Sequence, residues 1–366
     1  MRTYYRILLT KVKVKPRIPV QSFFQAYRQK PLPYQVRDIE MNPRIFCRPL
    51  LASVLIGTCS AGIASPADSY PSKPITIVVP FPAGGTADVL PRIVAQKLSE
   101  KWGQPVVIQN RTGAGGNIGT DYVAKATPDG YTLLVTPPAP LAINKKLYKD
   151  LPFDPEDFEL ITVLASVPNV LAVKSSLPVA STQAFIKYAR EKGGSVNVAT
   201  QGNGTTSHLT AAMFAEQAGA KFTFVPYRGT APALTDLVGG QVDVFFDNIS
   251  SMHSYHSAGK TKILAVAGTN RSPLLPDVPT ISESGLPGFS ATTWFAAAAP
   301  PGTADEIIQK LNTAIVDILN MPDVKKQFLG QGAEVVGQSP KETGEFIAAE
   351  RVRWKKVIEQ AGVQPN

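Results

Sequence analysis

The 366-residue chain predicts an α/β fold of two doubly wound domains joined by crossing strands. Three observations predict it. Apolar runs of strand length alternate with helical segments over residues 75–136 and again over 169–267, the pattern of parallel sheets covered on both faces. Each series contains a Gly-rich strand-to-helix junction, at residues 81–88 (FPAGGTAD) and 201–208 (QGNGTTSH). The length suits two cores rather than one.

In chain order, residues 74–80 form a near-continuous apolar run, as a strand buried on both faces requires. Gly84 and Gly85 make the turn, and Thr86 or Asp88 can cap the N–H groups that follow. Pro91 falls in the first helical turn, where its missing N–H is tolerated. A strand at 106–109 leads to the Gly-rich run 112–119, a helix at 122–126 and a strand at 131–136. The second series runs through a strand at 169–174, a helix at Thr182–Lys192, a strand at Val196–Thr200, the junction at 201–208 and a helix at 209–218. A strand at 222–225, a helix at 231–238 and strands at 242–246 and 262–267 follow. Residues 294–299 read as a return crossing, and helices Asp305–Leu319 and Pro340–Gln360 return to the first domain. These elements assign residues 68–171 with 293–366 to one domain and 172–292 to the other.

The net charge of +9 is misleading. Residues 1–50 hold eleven of the 37 basic and two of the 28 acidic residues, and 51–67 hold none, so 26 of each sign remain from Asp68 onward. A neutral body carries no footprint for nucleic acid. Arg44 and Arg48, the short apolar run 50–57 and Ser65-Pro66-Ala67 have the layout of a cleavable secretory signal peptide over residues 41–67. The run is too short to span a bilayer, which takes roughly 20 residues. We expect the true start at Met41, with residues 1–40 an extension outside the working protein. Cys47 and Cys59 both fall in this leader, so the mature chain holds no disulfide. Thr58 before Cys59 fits a lipoprotein box poorly, which favours a soluble periplasmic form and, we expect, a monomer.

A Gly-rich strand-to-helix junction gathers backbone N–H groups and the positive end of a helix dipole, an anion site that needs no Lys or Arg. Ligands of open α/β sheets bind beyond the carboxyl ends of strands. Two such domains face to face would put both junctions on one ligand, the geometry of a hinged binding protein. Other chemistries find little support. In TGAGGNIG, the G-x-G-x-x-G spacing from Gly113 requires Gly at 118 but meets Ile118, so no dinucleotide cofactor is expected. His253 and His256 stand three apart without Cys or a His-Glu signature, and no metal is expected. Ser207 and His208 are adjacent, so they diverge on a helix, and no G-x-S-x-G elbow exists. No catalytic constellation and no cofactor are expected.

Seven ordered stretches carry a resemblance: PFPAGGTADVLPR, NRTGAGGN, ATPDGYTLLV, LYKDLPFDPEDF, GNGTTSHL, VPYRGTAPALTDLVGGQVDVFFDN and RSPLLPDVPTISESGLPGF. From about residue 70 to 363 the chain resembles the Bug family, the substrate-binding receptors of tripartite tricarboxylate transporters. The resemblance implies a periplasmic, Venus-flytrap-like receptor that closes on a small organic carboxylate and delivers it to a membrane permease. Carried over residue by residue, it places Phe81, Ala83, Gly84, Gly85 and Asp88 in one jaw and Asn203, Gly204, Thr205, Thr206 and His208 in the other. Thr136, Tyr227, Arg228 and Asp247 are added to these, with Arg228 a candidate for a second carboxylate. Residues 136–139 and 248–252 would shape the remainder of the cleft. A ligand sensor for a signalling partner, or a periplasmic hydrolase, is the alternative.

Overall fold

The computed structural model describes residues 70–364. The expected leader, the extension before it and both cysteines lie outside the described residues. The first series is β1 (Ile75–Val79), α1 (Thr86–Trp102), β2 (Val106–Asn110), α2 (Asn117–Ala124) and β3 (Thr132–Thr136). A π-helical turn (Ala139–Ile143) and the short α3 (Asn144–Leu147) lead to β4 (Glu159–Lys174). The second series is α4 (Thr182–Lys192), β5 (Val196–Thr200), α5 (Thr206–Ala218), β6 (Phe222–Pro226), α6 (Thr230–Val238), β7 (Val244–Asn248), α7 (Ile249–Ser257) and β8 (Thr261–Val266). β9 (Thr292–Ala299), α8 (Asp305–Leu319), α9 (Pro322–Gly330), β10 (Glu334–Val335) and α10 (Pro340–Gln360) complete it.

Two parallel triplets, β2-β1-β3 and β7-β5-β6, form the ends of one sheet ordered β2-β1-β3-β9-β4-β7-β5-β6. The strands between them, β9 and β4, run antiparallel to their neighbours. The sheet is therefore mixed, with parallel pairing kept to the outer thirds. β4 makes the crossing between the halves. Its residues 159–168 pair with β9 in the first half, and 169–174 pair with β7 and β8 in the second. Expectation placed this strand at 169–174 only. Pro168 sits where β4 leaves one set of partners for another, so its missing N–H does not interrupt either ladder.

β1 is buried on both faces: Ile75, Ile77 and Val79 join one core with Leu90, Val94 and Leu98 of α1, and Val78 joins another with Val123 of α2. Ile307, Ile308 and Leu311 of α8 share the core of β1 and α1. Glu350 of α10 accepts from the indole N–H of Trp294 on β9 and of Trp354, both at 2.9 Å, which fixes the last helix to β9. α2 and α5 begin earlier than expected, at Asn117 and Thr206. The Gly-rich and Thr-rich stretches read as loop in fact supply the first helical turns. α9, β10 and the β4 residues ahead of Pro168 were not expected.

Candidate functional site

In each half the central strand, β1 or β5, has its two parallel partners on opposite sides. The winding reverses at such a strand, and a crevice opens beyond its carboxyl end. α1 leaves β1, and α5 leaves β5, at those two points. With α6 and α7, four helices begin on one cavity. Its wall includes Gly85 and Thr86 at the start of α1, Thr205 and Thr206 of α5, Gly229 and Thr230 of α6, and Asn248 ahead of α7. The first N–H groups of a helix have no partner within it, and each helix start carries about half a positive charge.

Phe81, Pro82, Ala83, Ala87, Pro137 and Ala139 complete the wall from the first half, Gln201 and Ala231 from the second, and Thr293 and Phe295 from β9. None of these lining residues is Lys, Arg, Asp, Glu or His. The cavity measures about 40 Å³, and the halves touch around it. The hydroxyls of Thr86 and Ser250 hydrogen-bond across the gap. A Cβ on Gly229 would stand 2.9 Å from Pro82, and one on Gly204 2.7 Å from Leu147. This is a closed cleft.

The two turn glycines are held from inside their own turns. Gly84 (φ +88°) donates its N–H to Asp88 Oδ2 at 3.0 Å. Asp88 also receives Arg92 Nε at 2.9 Å and Asn110 Nδ2 at 3.0 Å. Burial alone would raise the Asp88 pKa, but the hydrogen bonds from Arg92, Gly84 and Asn110 outweigh it and hold the carboxyl below its ordinary range. In the second jaw Gly204 (φ +77°) donates to His208 Nδ1 at 3.2 Å. Burial lowers the His208 pKa to about 4, so the ring is neutral at pH 7. Because Nδ1 accepts, the proton sits on Nε2. The ring meets Phe224 edge-on at 4.9 Å.

Of the expected site residues, Phe81, Ala83, Gly85, Thr205 and Thr206 line the cavity. Gly84, Asp88, Gly204 and His208 stand behind it and shape the two turns. Thr136 is fully buried with its hydroxyl 3.2 Å from the Pro137 carbonyl, and Pro137 is the residue that reaches the wall. Asp247, 1% exposed, accepts from Gln201 Nε2 at 2.6 Å, the Asn248 N–H at 2.8 Å and Ser251 Oγ at 2.8 Å. Burial pushes its pKa up to about 6 against those bonds. Its effect on the cavity passes through Gln201, which also donates to Thr230 Oγ1 at 2.7 Å.

Asn203, Tyr227 and Arg228 are not among the residues that line the enclosed space. Asn203 is exposed, with its carbonyl near Gly115. Tyr227 donates its hydroxyl to Asp236 at 2.7 Å. Tyr227 and the exposed Arg228 line an outer groove of about 420 Å³ with the loop at residues 112–116. The groove meets the cavity at Phe81, Pro82, Gln201 and Gly229, so Arg228 stands at the mouth.

The reading from sequence missed Thr86, Gly229, Thr230 and Thr293 as wall residues. The signal for α6 was present in VPYRGTAP, a third strand–Gly–helix junction. Among the described residues no group of three or more His, Cys, Asp or Glu side chains is placed to hold a metal. His256 instead accepts the Ile263 N–H at 3.2 Å. No described helix is long and apolar enough to cross a membrane.

Residues 90–363 match the family model described as tripartite tricarboxylate transporter family receptor. The chain belongs to that family. It is a family of solute-binding receptors rather than enzymes. Protein BugT of Bordetella pertussis is 40% identical over 319 residues, covering 86% of this chain and 98% of BugT. Among solved structures, Rpa4515 of R. palustris with adipate superposes at a TM-score of 0.80 with 40% identity, covering 81% of this chain and all of that one. MatC from Rhodopseudomonas palustris with bound malate gives 0.75 and 34%, covering 79% and 100%. The receptor thus shares the two-domain binding-protein fold of these neighbours, here with its cleft shut.

Proposed function

We propose that this receptor captures a small organic carboxylate in the cavity between its halves and delivers it to a membrane permease of the tripartite tricarboxylate type. The observation that carries the reading is the convergence of four helix starts on a wall without a charged side chain. Each hydrogen bond to a charged group contributes about 1.5–3 kcal/mol, and a dipole end about 0.3–1. Four amide or hydroxyl bonds therefore match the roughly 8.2 kcal/mol of micromolar binding before association costs. Closure, which removes water from those bonds, supplies part of the remainder. Adipate and malate in the two neighbours are carboxylates of the size class that four such bonds can hold.

On this reading Gly85, Thr86, Thr205, Thr206, Gly229 and Thr230 contact the ligand, while Asp88 and His208 hold their turns. The hinged units are residues 68–171 with 293–366, and 172–292. The mature protein works in the periplasm after removal of residues 41–67, as a monomer and without catalysis of its own. A thermal-shift screen of the mature protein against mono-, di- and tricarboxylates, amino acids and neutral sugars tests it. A carboxylate at 100 times its Kd should add about 2.7 kcal/mol of stability. Stabilisation by sugars alone would sink the reading. Loss of uptake on deleting the cognate permease gene tests delivery.

A further inference from the structure

We propose that Asn248 is the specificity-determining residue of the cavity, and that it selects acids carrying a neutral hydroxyl besides the captured carboxylate. The inference presupposes the carboxylate reading above and adds to it the identity of the second polar group.

Asn248 lines the cavity and is 6% exposed. Its side chain makes no hydrogen bond among the described residues: Oδ1 is buried without a partner, and as the residue ahead of α7 it does not cap that helix. The other polar side chains of the wall are engaged. Thr86 bonds Ser250, Thr206 bonds Thr293, Thr205 bonds the Gly202 carbonyl and Gln201 bonds Thr230 and Asp247. A buried polar group left unpaired costs about 1–3 kcal/mol, and a bound molecule that pairs with it recovers that cost.

The surroundings decide the chemistry of that partner. An unpaired Oδ1 calls for a donor, and the amide nitrogen can return a bond, which a hydroxyl satisfies on both counts. An ionised second carboxylate at this end can only accept, so it would leave Oδ1 unpaired, and it would have the buried Asp247 one residue away. An ammonium would need a carboxylate facing it, but Asp247 lies behind the wall with its oxygens taken by Gln201, Ser251 and the Asn248 N–H. A neutral hydroxyl remains.

Matched pairs differing by one hydroxyl test the proposal: malate against succinate, and 3-hydroxybutyrate against butyrate, titrated calorimetrically into the native protein and into Asn248→Leu and Asn248→Ala. The native protein should prefer the hydroxy acid of a bound pair by about tenfold, the worth of one hydrogen bond. Both variants should bring that ratio near one. A circular-dichroism melt confirms that each variant is folded, and having two protects against misfolding of one. Equal binding of both members of every pair by the native protein overturns the proposal, as does a preference that survives in both variants. Binding of no acid at all overturns the carboxylate reading and this proposal with it.

Discussion

The two jaws solve the same local problem with different chemistry. In α1 and α5 alike, a turn glycine in the left-handed region gives its N–H to the side chain four residues on. In the first half that side chain is Asp88, ionised and tied to Arg92 and Asn110. In the second it is His208, neutral and set among apolar neighbours with Phe224 against its ring. Both leave the following N–H groups of the helix facing the cavity. The first jaw is thus a charged hub whose acid serves three donors. The second is a single hydrogen bond in a dry setting, so the halves should differ in what breaks them.

The largest contrast concerns stability. Asp88→Ala frees the Gly84 N–H and takes one acceptor each from Asn110, which keeps the Phe81 carbonyl, and from the half-exposed Arg92, which keeps Asn110 Oδ1, and should lower unfolding free energy by about 3 kcal/mol. His208→Ala releases one N–H and one ring contact and should lower it by about 2 kcal/mol. Urea denaturation of the two variants checks the order, and equal losses would remove the distinction.

Next in size is closure. Gly204→Ala and Gly229→Ala place a methyl against Leu147 and Pro82 of the opposite half. Each should weaken ligand binding by about a hundredfold, roughly 2.7 kcal/mol, and small-angle scattering should show a more open molecule with ligand present. Gly84→Ala is the control from the first jaw. It has a positive φ but nothing within 4 Å, so it should cost about 1–2 kcal/mol of stability through strain and leave closure intact.

The smallest effect in the native protein is the pH dependence, because two groups oppose each other. His208, with its folded pKa lowered from 6.5 to about 4, contributes stability that is present above pH 6.5 and lost as pH falls towards 4, roughly 3 kcal/mol in full. Asp247, raised from 3.8 to about 6, has the other sign: the fold gains stability as pH falls from about 6 to 4, again by roughly 3 kcal/mol. Denaturation midpoints between pH 4 and 6.5 should therefore move little on account of this pair. His208→Gln should expose the Asp247 slope, with stability rising on acidification, and Asp247→Asn the reverse. A steep native slope with unchanged slopes in both variants would refute the pairing.

Much of this was legible in residue order. The strand–helix alternation marked both parallel triplets, and Gly84-Gly85 and Gly202–Gly204 marked two of the four helix starts. Register and crossing were less legible. The first ten residues of β4 were not read as strand, and their place beside β9 depends on pairing that residue order does not show. Asn117 and Thr206 begin helices inside stretches whose glycines and threonines read as loop. Asp88 and His208 were carried over as site residues, Asp88 also as a cap, and each accepts the N–H of its own turn glycine. Whether a side chain faces the cavity or its own turn depends on a hydrogen bond, which spacing does not reveal. Arg228 was added through the resemblance, and the structure sets it in the outer groove at the mouth.

The uncharged wall has an evolutionary side. Backbone N–H groups at helix starts survive almost any substitution, since every residue but proline supplies one. A receptor built this way keeps its general appetite for anions through long sequence drift. Its choice among them is left to a few side chains such as Asn248. Paralogues can then change ligand by single replacements without passing through a form that binds nothing, a route that a receptor relying on one essential arginine does not have.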